Sequence, residues 1–372
     1  MKTPPKKPPA SPLFPHRNGQ WAKKIRGKME YFGVWDDYDA AYAKYLQDRD
    51  YLQAGVTPPG EQVTLANVLD AYCDHKERLR DMGELSPDTY DDYFAVCKVI
   101  ADTIGKHRHI NSIGFEDLDK VRGALSKGKN GKLRSPSSMK RLLTMARMAF
   151  YFANEELGHS VRYKKALRSP AARVMRQARA KVGERLFTAA EIRTLVKAAK
   201  PQMRAMILLG VNCGFGNGDC GGLTVEAVDL KGGWHRFGRP KTGVERRCPL
   251  WPETVKALKA VIDDRTEGLV FITKYGNSWT TTAHREPIAF EFRKLMGDKH
   301  RKGVTTFYTL RRTFETIASA GDVPQSVIDA IMGHVSHSQD MSAVYRQKVF
   351  SESLRKCTDF VRNWYLGKVK ID

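Results

Sequence analysis

Four kinds of side chain suited to work on a phosphodiester recur in the second half of this 372-residue sequence. One run reads Tyr308-Thr309-Leu310-Arg311-Arg312-Thr313-Phe314. Met332-Gly333-His334 follows some way on, and then Tyr345-Arg346-Gln347. Upstream lies Pro240-Lys241-Thr242-Gly243-Val244-Glu245-Arg246-Arg247-Cys248-Pro249-Leu250. Attack at phosphorus builds negative charge on the nonbridging oxygens. A guanidinium matches that charge because it is planar, always protonated and bidentate. An imidazole can donate to the same oxygens. A phenol is a fair nucleophile and a fair leaving group, so a covalent intermediate through it keeps the bond energy. An amine on a flexible turn can protonate a departing oxygen.

The order and spacing of these segments resemble the tyrosine site-specific recombinases, the phage integrase family. Tyr308 to Phe314 is similar to that family's H-x-L-R-H-T-F box, Met332-Gly333-His334 to its L-G-H box, and Tyr345 to its nucleophile. The turn at Lys241 resembles the one bearing its catalytic lysine. The resemblance covers roughly residues 185 to 365. It implies Tyr345 as nucleophile, Arg311 as phosphate clamp, His334 as hydrogen-bond donor, Lys241 as general acid, and Tyr308 standing where a histidine is usual. Metal ions and nucleotide cofactors are not required by that chemistry. Arg312 reads as a surface charge. Each of the others has a structural alternative: His334 as a helix N-terminal residue without a role, Tyr345 as a packed aromatic, Lys241 as an ordinary basic turn. Tyr345 is one of 14 tyrosines, so its place relative to His334 is what singles it out. The interval between the two is 11 residues, about two longer than the family spacing.

One expected residue is missing. The family's first arginine sits in a motif like T-G-x-R-x-x-E-L. The matching stretch is Cys213-Gly214-Phe215-Gly216-Asn217-Gly218-Asp219-Cys220, with Gly216 at the arginine position. Asp219 matches the acidic residue, with a bracing role. Losing such a donor costs about two to three orders of magnitude in rate. Three explanations stay open: a chain that only binds DNA, a substitute cation among Arg204, Arg239 and Arg312, or backbone N–H groups of Gly214, Gly216 and Gly218 forming an anion-binding nest.

Composition agrees with a polyanionic partner. Lys and Arg number 63 against 41 Asp and Glu, a formal charge of +22. The basic residues run along the whole chain, which favours a long polyanion gripped by several domains. No apolar stretch is long enough to span a bilayer, and the Pro- and Lys-rich N-terminus lacks the apolar core of a secretory signal. A cytoplasmic, nucleoid-associated protein of a prokaryote or mobile element is expected. The six cysteines are scattered without a C-x-x-C pair, so reduced thiols filling cores are expected. Cys213 and Cys220 lack zinc-ligand spacing.

The elements that must position these residues fall into blocks. Residues 1–10 form a disordered basic arm. Residues 11–57 form an arm-type DNA-binding unit: short alternating runs around Arg26-Gly27, then a helix from Asp37 to Gln53. Residues 61–160 read as a helical core-binding domain, with Leu65, Val68, Leu69 and Tyr72 on one helix face and Ser86-Pro87 and Ser135-Pro136 opening further helices. Residues 161–183 are a basic linker. A catalytic domain at 184–372 opens with a Thr188/Glu191 capping box, contains a buried helix over Met203 to Val211 and a Gly-rich bend from Cys213 to Gly222, and carries short strands on either side of Lys241.

The fold expected is mainly α with small β elements. The function implied by the resemblance is cutting and rejoining double-stranded DNA at a specific site through a 3′-phosphotyrosyl bond, by a homotetramer on two duplexes. A non-catalytic DNA-binding protein descended from recombinases, and a type IB topoisomerase, are the alternatives.

Overall fold

The structure, a computed structural model, describes residues 4–9, 11–56, 58, 63–128, 130–280, 286–297, 305–335 and 349–371. The chain divides into two compact units, Met1–Pro170 and Ala171–Asp372. Among the described residues three separate hydrophobic cores lie within them, two in the first unit and one in the second.

The first core belongs to a three-stranded antiparallel sheet and one helix. Strands β1 (Phe14–His16), β2 (Gln20–Ile25) and β3 (Lys28–Val34) pair in sequence order. Arg26 and Gly27 both have positive φ, +50° and +86°, the two-residue turn whose twist suits a hairpin. Asp37 caps helix α1 (Tyr38–Ala54) by accepting from the Ala40 N–H, and Trp21, Phe32, Ala41 and Tyr45 are buried beneath it.

The second core joins α2 (Leu65–Asp81), α3 (Pro87–Ile104), α4 (Phe115–Ser126) and α5 (Pro136–Glu155). Ser86 and Ser135 accept from the N–H groups of Thr89 and Ser138, so each helix starts where serine followed by proline predicts. The expected linker at 161–183 is divided. Val161, Tyr163, Ala166 and Leu167 are buried in this second core, while Ala172–Val182 forms a helix, α6, with no buried residue. The reason is compositional: four apolar residues alternate with the basic ones before Pro170 and are drawn into the core.

The second unit is built around α8 (Pro201–Cys213), which is buried on nearly every side, as a core helix must be. It packs against α10 (Pro252–Ile262), α12 (Phe307–Ser319) and α7 (Ala189–Ala198). Gly210 allows the approach of α12, because a Cβ there would stand 3.0 Å from Leu310. The buried side chain of Asn212 accepts from the Trp251 N–H and the Thr254 hydroxyl and donates to the Pro249 carbonyl. It thereby fixes α8 to the small antiparallel sheet of β4 (Val228–Asp229), β5 (Trp234–Arg236) and β6 (Arg247–Pro249). Helices α11 (Pro287–Met296), α13 (Gln325–Met332) and α14 (Ser351–Tyr365) complete the unit.

The Gly-rich stretch is not a simple bend. Gly214 turns the chain in the left-handed region, and Asn217–Gly222 then forms a short helix, α9. Among the described residues no helix is long and apolar enough to cross a membrane.

Candidate active site

Arg311 is the organising residue. It sits on the inward face of α12 and is 1% exposed. Its Nη1 donates to the Gly214 carbonyl at 2.5 Å and its Nη2 to the Met332 carbonyl at 2.8 Å. Both acceptors lie at helix C-termini, of α8 and α13, where unpaired carbonyls and the helix dipole favour a cation. Each helix ends on a left-handed glycine, Gly214 at φ +66° and Gly333 at φ +65°, as this kind of C-cap requires. Burial lowers the pKa of Arg311, the nearby charge of Arg239 lowers it further, and Asp219 opposes both.

Asp219, on α9, lies behind this clamp. Its Oδ2 accepts from the Gly216 N–H at 2.7 Å and stands 4.0 Å from Arg311 Nη1. Its Oδ1 accepts from Arg246 Nη2 at 2.7 Å. Arg246 has a fully buried side chain. Its Nε donates to the Phe237 carbonyl, and its guanidinium lies over the Phe215 ring at 4.3 Å. Removing one partner of such a buried pair costs about 3–5 kcal/mol, because a charge is stranded. Two guanidinium nitrogens, Arg246 Nη1 and Arg311 Nε, are buried without a hydrogen-bond partner among the described residues.

The hairpin between β5 and β6 brings Lys241 to the same place. Arg239 accepts from the Thr242 and Gly243 N–H groups, closing the turn. The turn then docks on the end of α13: Thr242 Oγ1 donates to the Gly333 carbonyl at 3.1 Å and Arg239 Nη1 to the same oxygen at 3.4 Å. Lys241 at the tip is exposed. His334 follows Gly333 directly. It comes after a helix C-terminus, not at an N-terminus: its N–H donates to the Asp329 carbonyl, and its Nδ1 is 3.1 Å from Asp329 Oδ1. Tyr308 is 44% exposed in the first turn of α12, beside Gly216. A Cβ at Gly216 would lie 3.5 Å from the Tyr308 ring. Arg311, His334, Lys241, Tyr308 and Asp219 are therefore gathered in one region, whereas Tyr345 lies outside the described residues.

Sequence reasoning missed Arg246, although the pattern contained a signal. Arg246, Cys248 and Leu250, at the start, middle and end of the segment around β6, are all buried, so the arginine shares the spacing of two apolar residues two apart. The three explanations for Gly216 also narrow. The Gly216 N–H is held by Asp219, Gly218 lies inside α9, and Gly216 has an ordinary φ of −100°, so these glycines do not form an anion-binding nest. Arg204 spends its Nε and Nη2 on the Val196 and Ala199 carbonyls at the end of α7. Arg312 lies over the Tyr308 ring at 5.5 Å.

Behind the site, Cys213, His235 and Cys248 have ligand atoms within 4.8 Å of one another, all buried. Burial, and then the charge of Arg246, push the His235 pKa down to about 3. Three ligands fall one short of a structural zinc set, and Arg246 stands close enough to oppose a cation, so the group is best read as packed core.

The profile of the phage integrase family matches residues 184–352. That match lies within the C-terminal unit and covers a little less than half of the chain. The chain is 30% identical over 122 residues to Tyrosine recombinase XerC of Pelobacter propionicus, a match covering 32% of this chain and 38% of that relative. Among solved structures, a lambda integrase tetramer bound to a Holliday junction superposes with a TM-score of 0.57 at 18% identity, covering 90% of this chain and 98% of that one. The Tn1549 transposon integrase in complex with a circular intermediate DNA gives 0.55 at 16% identity, covering 78% and 98%. The mainly helical fold with small sheets is thus shared with integrases across most of the chain.

Proposed function

We propose that this chain is a site-specific DNA recombinase, an integrase that cuts and rejoins double-stranded DNA through a 3′-phosphotyrosyl intermediate formed by Tyr345. The observation that carries this reading is the buried Arg311. It is held by two helix C-termini, with the Lys241 turn and His334 attached to the same α13 end that supplies one of its carbonyls. Such a site offers fixed positive charge where negative charge develops at phosphorus.

In the reaction the bond from Tyr345 Oη to phosphorus forms as the bond to the 5′ oxygen breaks. The phenol loses one proton and the departing oxygen gains one. Lys241 supplies that proton, and its exposed position at the tip of the turn supports this role. With Nδ1 held by Asp329, His334 has no partner on Nε2 among the described residues, and that nitrogen is an acceptor in the neutral ring and a donor in the imidazolium. Tyr308 can donate to a nonbridging oxygen, and Asp219 braces Arg311 and the Gly216 backbone. A homotetramer on two duplexes and a mobile-element setting extend the same reading, supported by the likeness to a lambda integrase tetramer bound to a Holliday junction and to the Tn1549 transposon integrase.

Gly216 favours a second reading, a chain that binds DNA without cutting it. To separate the two, a duplex is selected for binding from a randomised pool, and nicked versions tiling the site are incubated with the full chain. A covalent adduct with wild type and none with Tyr345→Phe is expected. No adduct with wild type, restored by Gly216→Arg, would identify a decayed enzyme.

A further inference from the structure

Gly216 removes a guanidinium from the phosphate site, yet the site is not short of positive charge. Three guanidinium groups, Arg311, Arg246 and Arg239, meet around one carboxylate, Asp219, and the α13 terminus at Gly333. A Cβ at Gly333 would lie 2.9 Å from Arg239 Cβ and 3.3 Å from Arg246 Cδ, so both side chains pack on that glycine. Asp219 binds Arg246 at 2.7 Å and approaches Arg311 at 4.0 Å. Keeping like charges together in a partly desolvated place is unfavourable unless an anion joins them.

The three cations differ in how committed they are. Arg246 is fully buried, with Nε and Nη2 on protein acceptors. Arg311 is buried with both terminal nitrogens on carbonyls. Arg239 is only half-buried, and the one hydrogen bond of its guanidinium among the described residues is the long contact to the Gly333 carbonyl at 3.4 Å. It also sits two residues before Lys241, on the turn that reaches His334's neighbour.

We propose that Arg239 is the second phosphate clamp of this site, reaching the scissile phosphate from the β5–β6 hairpin in place of the arginine absent at Gly216, with Arg246 as the positioning residue that fixes Asp219 beneath both. The inference rests on the recombinase reading. It makes Arg239 a catalytic residue: its guanidinium binds a nonbridging oxygen, while Arg311, committed to the Gly214 and Met332 carbonyls, adds its positive charge from beneath. The clamp and the general acid then share one turn, so docking that turn on Gly333 delivers both together.

The test is the rate of covalent adduct formation by the full chain on the nicked selected duplex, measured at saturating protein so that affinity does not enter. Arg239→Ala is expected to slow adduct formation by about a hundredfold or more. Arg239→Gln, which preserves more of the side chain's packing, should lose nearly as much, and thermal melts should show both variants folded. The decisive substrate carries a methylphosphonate at the mapped scissile position, where one nonbridging oxygen becomes an uncharged methyl group. On the diastereomer lacking the oxygen held by Arg239, the variants and wild type should form adduct at comparable rates, because the charge to be clamped is gone. Adduct from Arg239→Ala at the wild-type rate on ordinary phosphate sinks the proposal, as does an equal loss on both diastereomers and on phosphate. Wild type without adduct on any duplex sinks the recombinase reading and this inference with it.

Discussion

An arginine buried to 1% exposure is an unusual choice for a core, and two left-handed glycines make it tolerable here. Gly214 and Gly333 end α8 and α13 so that one carbonyl from each turn of chain meets Arg311. An alanine at Gly333 would adopt the left-handed region at a cost of about 1–2 kcal/mol, and its Cβ would press on Arg239 at 2.9 Å. Gly333→Ala should therefore lower unfolding stability by at least that amount in urea titrations and slow adduct formation as well. Gly218 is the contrast: it lies inside α9 with nothing within 4 Å of a built Cβ. Gly218→Ala should be neutral or stabilising by up to about 1 kcal/mol, and a loss there as large as at Gly333 would contradict the argument. The order of Tyr308, Arg311 and His334, with Lys241 upstream, was legible as a resemblance to a family's boxes, and the fold brings these positions into one region. Arg246 was not, because burial of an arginine depends on a distant carboxylate, Asp219, that only the fold brings within 2.7 Å.

Elements obey the same division. Helices opened by Ser86-Pro87, Ser135-Pro136 and the Thr188/Glu191 box could be read directly, since their caps are local. Helix α9 could not, because three of its six residues are glycine, a composition that disfavours a helix. What imposes it is tertiary: Asp219 binds the N–H before the helix, and Gly221 admits Thr280, whose Cγ2 would lie 2.2 Å from a Cβ there. The placement of α14, which follows the segment bearing Tyr345, is likewise tertiary. Arg362 grips Glu253 of α10 through Nε at 3.0 Å and Nη2 at 2.8 Å. That hydrogen bond, first among its causes, lowers the Glu253 pKa. A carboxylate depressed in the folded state stabilises the fold above its unfolded pKa, and the gain is lost as pH falls through the folded value. Glu253→Gln should then cost up to roughly 1 kcal/mol at neutral pH, since the pair is about a third exposed. The difference from wild type should shrink in chemical melts carried below the ordinary carboxylate range. A pH-independent difference would show that packing, not charge, holds α14 to α10.

At the scale of the whole molecule, the formal charge of +22 has to be placed somewhere that a polyanion can use it. Helix α6 is the clearest such place. It buries no residue, and Arg173, Arg176 and Arg179 recur every three positions, close enough to the helical repeat to form one stripe. Nothing in the fold of its own unit explains these side chains, so their removal should leave stability unchanged. Each phosphate neutralised on duplex DNA contributes about −0.9 to the slope of log affinity against log salt. Replacing all three arginines with alanine should therefore weaken binding at low salt and flatten that slope by about 2 to 3, if each meets a phosphate. Tyr345→Phe, by contrast, should leave the slope untouched, since a phenol carries no charge to exchange for counterions. Titrations of the same duplex at several salt concentrations distinguish the two. An unchanged slope in the triple variant would move the charge that grips DNA to other parts of the chain, and a melting point lowered with it would mean that α6 packs where the structure leaves it exposed.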